Sequence, residues 1–424
     1  MNRPLTTWRG LPCLLLELVV SCASEPARPA TKSTDQPLAA TAAQPETLAA
    51  QRELELPLPR DQLRPAAKPP APVEAQPLGC SSERRLFADT GLDEDALLEE
   101  LRTAPARVFK PVGTTSVVFR VALGARRCLQ RAAVDPEALE TVGSPAAPQP
   151  CTTLPRQGEK THDSDHPRAL GPILKTLPRI AAAFKPSSRT RRRAAFAEIA
   201  AYRLARCLGL RNVVPAIGRR LPIGLIKQRL KPDDRWPAIE QQLELGQEQA
   251  LTGAAMYWVP DLRDIGIDRR QGIREWSGWL AVDGVVPENR RVLARDISNM
   301  LVFDYLIANW DRFSGSNALA QHGTRLVLRD HDVAFPEHLP LKLHRKLLAR
   351  LLRAQRFSRG LIARLAALSP PALAREIGRD PVLRGRRWLH GKRLAGLLDR
   401  RQAVLSHVAA LVDLHGEDGV LAFP

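Results

Sequence analysis

Phe303-Asp304-Tyr305-Leu306-Ile307-Ala308-Asn309-Trp310-Asp311-Arg312 decides the fold. It continues an apolar run from Asp296-Ile297-Ser298-Asn299-Met300-Leu301-Val302, so the whole stretch predicts a buried helix that ends in a polar loop. Phe313-Ser314-Gly315-Ser316-Asn317 forms that loop, and apolar Ala318-Leu319-Ala320 follows. Further on, Leu326-Val327-Leu328-Arg329-Asp330-His331-Asp332-Val333-Ala334-Phe335 predicts a short strand running into an acidic turn.

Working upstream, Phe196-Ala197-Glu198-Ile199-Ala200-Ala201-Tyr202-Arg203-Leu204 predicts a helix. Phe196, Ile199, Ala200, Leu204 and Leu208 make one stripe, Gly209 is the stop, and Glu198 projects off the stripe. Ala183-Phe184-Lys185-Pro186 before it is the end of a strand. Earlier still, Val112-Gly113-Thr114-Thr115-Ser116 leads into the β-rich Val117-Val118-Phe119-Arg120-Val121-Ala122-Leu123. A turn rich in backbone N–H groups and hydroxyls between two strands suits a phosphate-covering loop, although a plain hairpin has the same pattern. Phe109-Lys110-Pro111 competes with Phe184-Lys185-Pro186 for the phosphate lysine. Lys185 is preferred because the Glu198 helix follows it directly.

These islands stand in the order that phosphoryl transfer needs. A strand lysine paired with a helix glutamate orients the α- and β-phosphates, and an aspartate closely followed by asparagine gives a hydroxyl-orienting carboxylate and a metal ligand. A second aspartate at a strand end completes an all-oxygen ligand set, which suits Mg²⁺ or Mn²⁺. The combined pattern resembles the atypical kinases: phosphatidylinositol kinases, HipA-type kinases, and the secretory kinases related to Four-jointed and the Golgi casein kinase. The resemblance spans roughly residues 108 to 336. It implies an α+β, two-lobed protein-kinase-like fold, with a small β-rich N-lobe and a larger helical C-lobe. It also implies that Gly113, Thr114, Thr115, Ser116 and Lys185 hold the phosphates of ATP or another nucleoside triphosphate. Glu198 would position Lys185, Asp311 would act as base, and Asp330 and Asn317 would bind metal. The sequence departs from the pattern at Phe313, where histidine is usual, and at Asn317, six residues after Asp311 with Ser316 in the usual slot. It departs again at Asp332, where glycine is common.

The rest of the chain sets the frame. Residues 1–21 carry charged Arg3 and Arg9 and an apolar stretch over 11–20, and Val19-Val20-Ser21-Cys22 resembles a bacterial lipobox. That resemblance implies an exported protein of the cell envelope, sorted to the outer membrane and held to it by a lipid on Cys22. Residues 22–84 are rich in Ala, Pro, Thr, Gln and Glu and are expected to be a disordered tether. The N-lobe is expected over 85–262, interrupted by a low-complexity insertion at 126–167, and the C-lobe over 263–424. Gly253-Ala254-Ala255-Met256-Tyr257-Trp258-Val259-Pro260 fits the last N-lobe strand and the hinge, or simply a buried aromatic strand. Ser369-Pro370-Pro371 predicts a capped helix start.

The formal charge of +18 points to an anionic partner, yet arginine dominates over lysine in an Ala-, Leu- and Pro-rich chain, so compositional bias explains it too. Nucleic acid is not expected as a partner, and a monomer is expected. No two of Cys13, Cys22, Cys80, Cys128, Cys151 and Cys207 have zinc-type spacing. Cys207 is expected to be a small core residue, and His331 a local hydrogen-bonding group. Three functions follow: an ATP-dependent phosphotransferase on a protein, lipid or glycan hydroxyl; an inactive kinase-like module that binds a nucleotide or partner; or, from charge alone, a polyanion-binding surface protein.

Overall fold

The computed structural model describes residues 80, 85–88, 90–113, 116–124, 180–314 and 317–424. The expected signal, Cys22, the 126–167 insertion, Thr114, Thr115 and the two loop residues Gly315 and Ser316 lie outside the described residues, as does the expected tether apart from Cys80.

The first part of the fold is sheet-rich. A hairpin of β1 (Leu86–Phe87) and β2 (Leu92–Asp93) leads into α1 (Glu94–Thr103), whose N-terminus is capped by Asp93 Oδ1 accepting from the N–H groups of Asp95 and Ala96 at 3.0 and 2.9 Å. Then come β3 (Ala106–Pro111), β4 (Phe119–Leu123), β5 (Ala181–Pro186), α2 (Ala194–Cys207), β6 (Ala216–Pro222), α3 (Ile223–Arg229), α4 (Trp236–Gln242) and β7 (Ala250–Tyr257). The strands form an antiparallel sheet in the order β3-β4-β5-β7-β6. β4 alternates buried Phe119, Val121 and Leu123 with exposed Arg120 and Ala122, the period-two pattern of a sheet with one covered face.

α2 departs from the one-stripe expectation, because every residue from Ala194 to Cys207 except Phe196 is buried. Small Ala195, Ala197, Ala200, Ala201 and Ala205 admit close neighbours on several sides, and the polar residues find partners. Arg203 meets Glu376 at 3.2 Å, and Arg206 meets Asp95 at 2.9 Å and Glu94 at 3.3 Å. Buried charges persist only when paired in this way. Gly209 ends the helix at φ +75°, a conformation that L side chains rarely adopt.

Cys207 is buried in the core as expected, and it is also bonded to Cys80, 127 residues earlier. Cys80 is therefore tied to α2 and is not part of a free tether. Nothing in the cysteine spacing carried this connectivity, since the partners meet only through the fold.

The second part is larger and helical. After Tyr257 the chain leaves the first sheet and forms β8 (Leu262–Asp264), α5 (Arg270–Trp279), α6 (Arg291–Ile307), β9 (Ala318–Gln321) and β10 (Arg325–Leu328). α7 (Leu341–Leu351), α8 (Arg359–Ala367), α9 (Pro370–Gly378), α10 (Gly391–His415) and α11 (Glu417–Val420) follow. Ser369 caps α9 by accepting from Ala372 N–H at 3.3 Å. β10-β9-β8 make a small antiparallel sheet. α6 is buried throughout residues 296–307 and packs against α7, α10 and β10. It stops at Ala308, whose φ is 57°, and Asn309 N–H closes the end on Asp304 C=O at 2.8 Å. The segment after α2 pins β10: Val214 N–H donates to Leu328 C=O at 3.0 Å, and Leu328 N–H to Asn212 C=O at 2.8 Å. The two parts have the α+β organisation expected from sequence.

Candidate functional site

Lys185 stands on β5, third in sequence among the strands of the larger sheet, opposite Ala254 of β7. Its side chain is 4% exposed. Nζ lies 2.7 Å from Glu198 Oε1, 2.7 Å from Asp330 Oδ1 and 3.4 Å from Asp332 Oδ2. Glu198 comes from α2, and the two aspartates from the turn after β10. The second carboxylate oxygen of Glu198, Oε2, accepts from His331 N–H at 3.0 Å, so Glu198 ties the lysine to the acidic turn. By contrast Lys110 is exposed on β3.

Burial alone would depress the Lys185 ammonium, but Glu198, Asp330 and Asp332 overcome it and hold the pKa above its ordinary value. Burial pushes the Glu198 carboxyl up, against the pull of Lys185. Asp330 is also opposed by burial, yet Lys185 keeps its carboxyl below the ordinary value. Lys185 is thus a fixed cation among three carboxylates. Arg191 shares the load, with Nη1 2.8 Å from Asp332 Oδ2.

Asp311 follows α6 and is half-buried. Burial raises its carboxyl pKa, and the negative charges of Asp330 and Asp332 push the same way. Asn317 Nδ2 donates to Asp311 C=O at 3.2 Å and lies 3.5 Å from Asp311 Oδ2. The longer spacing between Asp311 and Asn317 therefore still brings the two together.

Arg312 explains why the loop and the turn hold their places. It is 1% exposed and reaches Asp304 with Nε at 2.9 Å and Nη2 at 3.1 Å. Its Nη1 donates to the backbone carbonyls of Asn317, at 2.9 Å, and Arg329. Nη2 lies 3.2 Å from His331 Nδ1, and a guanidinium only donates, so Nδ1 is the acceptor and His331 is neutral. Burial, with Arg312 beside it, drives the His331 pKa well below its ordinary value. His331 is thus the hydrogen-bonding residue expected. Phe313, where histidine is usual, packs instead against Trp276 and under Arg350, whose guanidinium lies 4.4 Å from its ring centroid.

Between β3 and β4, Val112 N–H donates to Val118 C=O at 2.9 Å and closes a tight loop. A Cβ on Gly113 would stand 1.8 Å from Ser116 C=O, so this position requires glycine. Arg235 braces the loop base, donating to Gly113 C=O at 3.1 Å and Pro111 C=O at 3.0 Å.

No protein-family model matches the chain, and no curated protein matches it. Solved structures do. The crystal structure of the Golgi casein kinase with Mn/ADP bound is 15% identical, with a TM-score of 0.46, over 77% of this chain and 78% of that one. The structure of hydra Fam20 with sugar is 15% identical, with a TM-score of 0.48, over 80% and 95%. A further Golgi casein kinase crystal structure is 14% identical, with a TM-score of 0.47, over 89% and 92%. At these identities the likeness is one of fold, and the chemistry of the cleft follows from its own side chains.

Among the described residues, no three His, Cys, Asp or Glu side chains form a closed metal site. Mg²⁺ seldom needs one, because it keeps waters and takes one or two carboxylates plus substrate phosphates. Asp330 fits that role: its side chain is 39% exposed, so the carboxylate opens to solvent while Oδ1 holds Lys185. Asn317 can add its amide oxygen from beside Asp311. Three members of the cluster were not selected from sequence: Asp332, Arg191 and Arg312. Asp332 was visible as an unusual residue, but its partnership with Lys185 was not. A cavity of about 420 Å³ adjoins them, lined by Arg189, Arg191, Arg192, Arg193, Asp332 and Val333 among others.

Proposed function

We propose that the chain is a metal-dependent phosphotransferase of the atypical kinase kind, moving the γ-phosphoryl group of ATP or another nucleoside triphosphate to an alcohol acceptor. The observation that carries this reading is the convergence of Lys185, Glu198 and Asp330, from three separate stretches of sequence, within ion-pair distance. A lysine and glutamate pair of this kind, beside an aspartate at a strand end, is the apparatus that orients nucleotide phosphates in kinases.

In the proposed reaction Lys185 holds the α- and β-phosphates, and Glu198 fixes its ammonium. The loop at Gly113 and Ser116 would cover the phosphates. Asp330 and Asn317 hold Mg²⁺ or Mn²⁺, which supplies charge neutralisation on the transferring group when bound. Asp311 orients the acceptor hydroxyl and takes its proton. A bond forms from the acceptor oxygen to phosphorus, the bond from phosphorus to the bridging oxygen breaks, and the nucleoside diphosphate leaves with that electron pair. Positioning and charge supply the catalysis, with no covalent enzyme intermediate.

Export belongs to the same proposal. The lipobox-like Val19-Val20-Ser21-Cys22 supports a lipid anchor, and the Cys80–Cys207 disulfide suits an oxidising compartment. Cys22→Ser should move the protein out of the membrane fraction. For the cleft, calorimetric titration of the full chain with ADP, with and without Mn²⁺, is the test. Metal-dependent binding that disappears in Asp330→Ala supports the proposal. Wild-type protein that binds no ADP in either condition overturns it.

A further inference from the structure

The phosphate-covering loop carries one glycine, Gly113, among the residues from Val112 to Val118. Kinase loops of this kind are glycine-rich, and glycine lets a backbone approach a ligand closely. With a single glycine, the shape of the loop has to be imposed from outside it.

The excursion between β6 and β7, which contains α3 and α4, supplies that constraint. β6 and β3 lie at opposite edges of the sheet, yet the excursion reaches β3. Leu230 forms a parallel bridge to Phe109, Lys231 N–H donates to Phe109 C=O at 2.8 Å, and Arg229 donates to Ala106 C=O. Trp236 then sets its ring against Phe119 of β4, with centroids 6.3 Å apart. Between these two anchors stands Arg235. Its Nη1 donates to Gly113 C=O at 3.1 Å and its Nη2 to Pro111 C=O at 3.0 Å.

Asp233 fixes Arg235 in turn. Arg235 Nε lies 2.9 Å from Asp233 Oδ1, Nη2 lies 2.8 Å from Oδ2, and the Arg235 N–H donates to Oδ1 at 3.0 Å. These hydrogen bonds hold the Asp233 carboxyl down at about 2, so the pair stays charged at neutral pH. Arg235 is exposed, and an exposed ion pair contributes little to stability. What the guanidinium fixes is direction. A loop attracts phosphate through its N–H groups, and its carbonyl oxygens repel it. Arg235 ties the Pro111 and Gly113 carbonyls to itself, so they cannot turn toward a phosphate.

We propose that Arg235, held by Asp233, is a positioning residue for the phosphate-covering loop, and that nucleotides depend on it only through their phosphates. The inference rests on the phosphotransfer reading. The experiment is calorimetric titration of the full chain with ADP and Mn²⁺, and separately with adenosine, for the wild type and Arg235→Ala. The variant should bind ADP about tenfold more weakly, the scale of one hydrogen bond to a charged group. Its adenosine affinity and its urea unfolding midpoint should match those of the wild type. Equal ADP affinity in the two proteins overturns the inference and leaves the phosphotransfer reading standing. So does an equal loss for ADP and adenosine, which marks a purely structural role. A wild type that binds no ADP overturns the reading itself, and the inference with it.

Discussion

Replacing Lys185 by methionine removes the only lysine from a cluster of carboxylates. Glu198 is 2% exposed and Asp332 5%, and Lys185 contacts both. Asp332 keeps Arg191, but Glu198 is left with His331 N–H alone. Removing one partner of a buried pair costs about 3–5 kcal/mol. The Glu198 carboxyl has an escape, which is to take up a proton. From an ordinary value of 4.5, protonation at pH 7 costs about 3.4 kcal/mol, and at pH 5 about 0.7 kcal/mol. The sign follows from proton counting. In the variant, burial is no longer opposed by Lys185, so folded Glu198 takes up a proton that the unfolded chain has lost, and the variant's stability falls as pH rises above 4.5. Urea unfolding should therefore show Lys185→Met losing about 3–4 kcal/mol at pH 7 and about 1 kcal/mol at pH 5. Adding Glu198→Gln to Lys185→Met should recover most of the loss at pH 7. A loss below about 1 kcal/mol at pH 7, or one equal at both pH values, would refute the reasoning.

Other perturbations test the supports. Arg312→Leu leaves Asp304 buried and unpaired and should cost about 3–5 kcal/mol in urea unfolding, most of it recovered by adding Asp304→Leu. His331 is held neutral with its pKa well below 6.5, so the native state refuses a proton that the unfolded chain accepts. Its contribution is present above 6.5 and is lost as pH falls toward the folded value, at about 1.4 kcal/mol per pH unit; His331→Asn should flatten that part of the stability–pH profile. Cys207→Ala opens a cross-link spanning 127 residues and should cost about 2–5 kcal/mol, read as a lower denaturant midpoint than that of the oxidised wild type.

Local pattern made much of this legible. The helix through residues 303–307 and the strand through 326–328 announce themselves by apolar runs, and Ser369 by its cap chemistry. Lys185 was separable from Lys110 because the Glu198 helix follows it at short range. The cross-link from Cys80 to Cys207 was not legible, since bonding across 127 residues depends on where the folded chain returns. The burial of α2 was hidden for the same reason: its outer face is closed by Glu376 and by α1, and neither adjoins it in sequence. Arg312 looked like part of a catalytic motif. Its work is structural, binding Asp304 and two backbone carbonyls behind the carboxylates.

The most direct test of the central claim is phosphoryl release or transfer from γ-labelled ATP by the full chain with Mg²⁺ or Mn²⁺, compared with Asp311→Asn. Asp311 is half-buried with its pKa raised, so as the proton acceptor it should give an acid limb above its ordinary 3.8, with turnover rising as pH increases through it. Loss of the carboxylate should lower turnover by about 10²–10⁴-fold and leave ADP affinity nearly unchanged. Metal-dependent turnover in the wild type with that loss in Asp311→Asn is the predicted result; no turnover with either metal, or equal turnover in the variant, would contradict it.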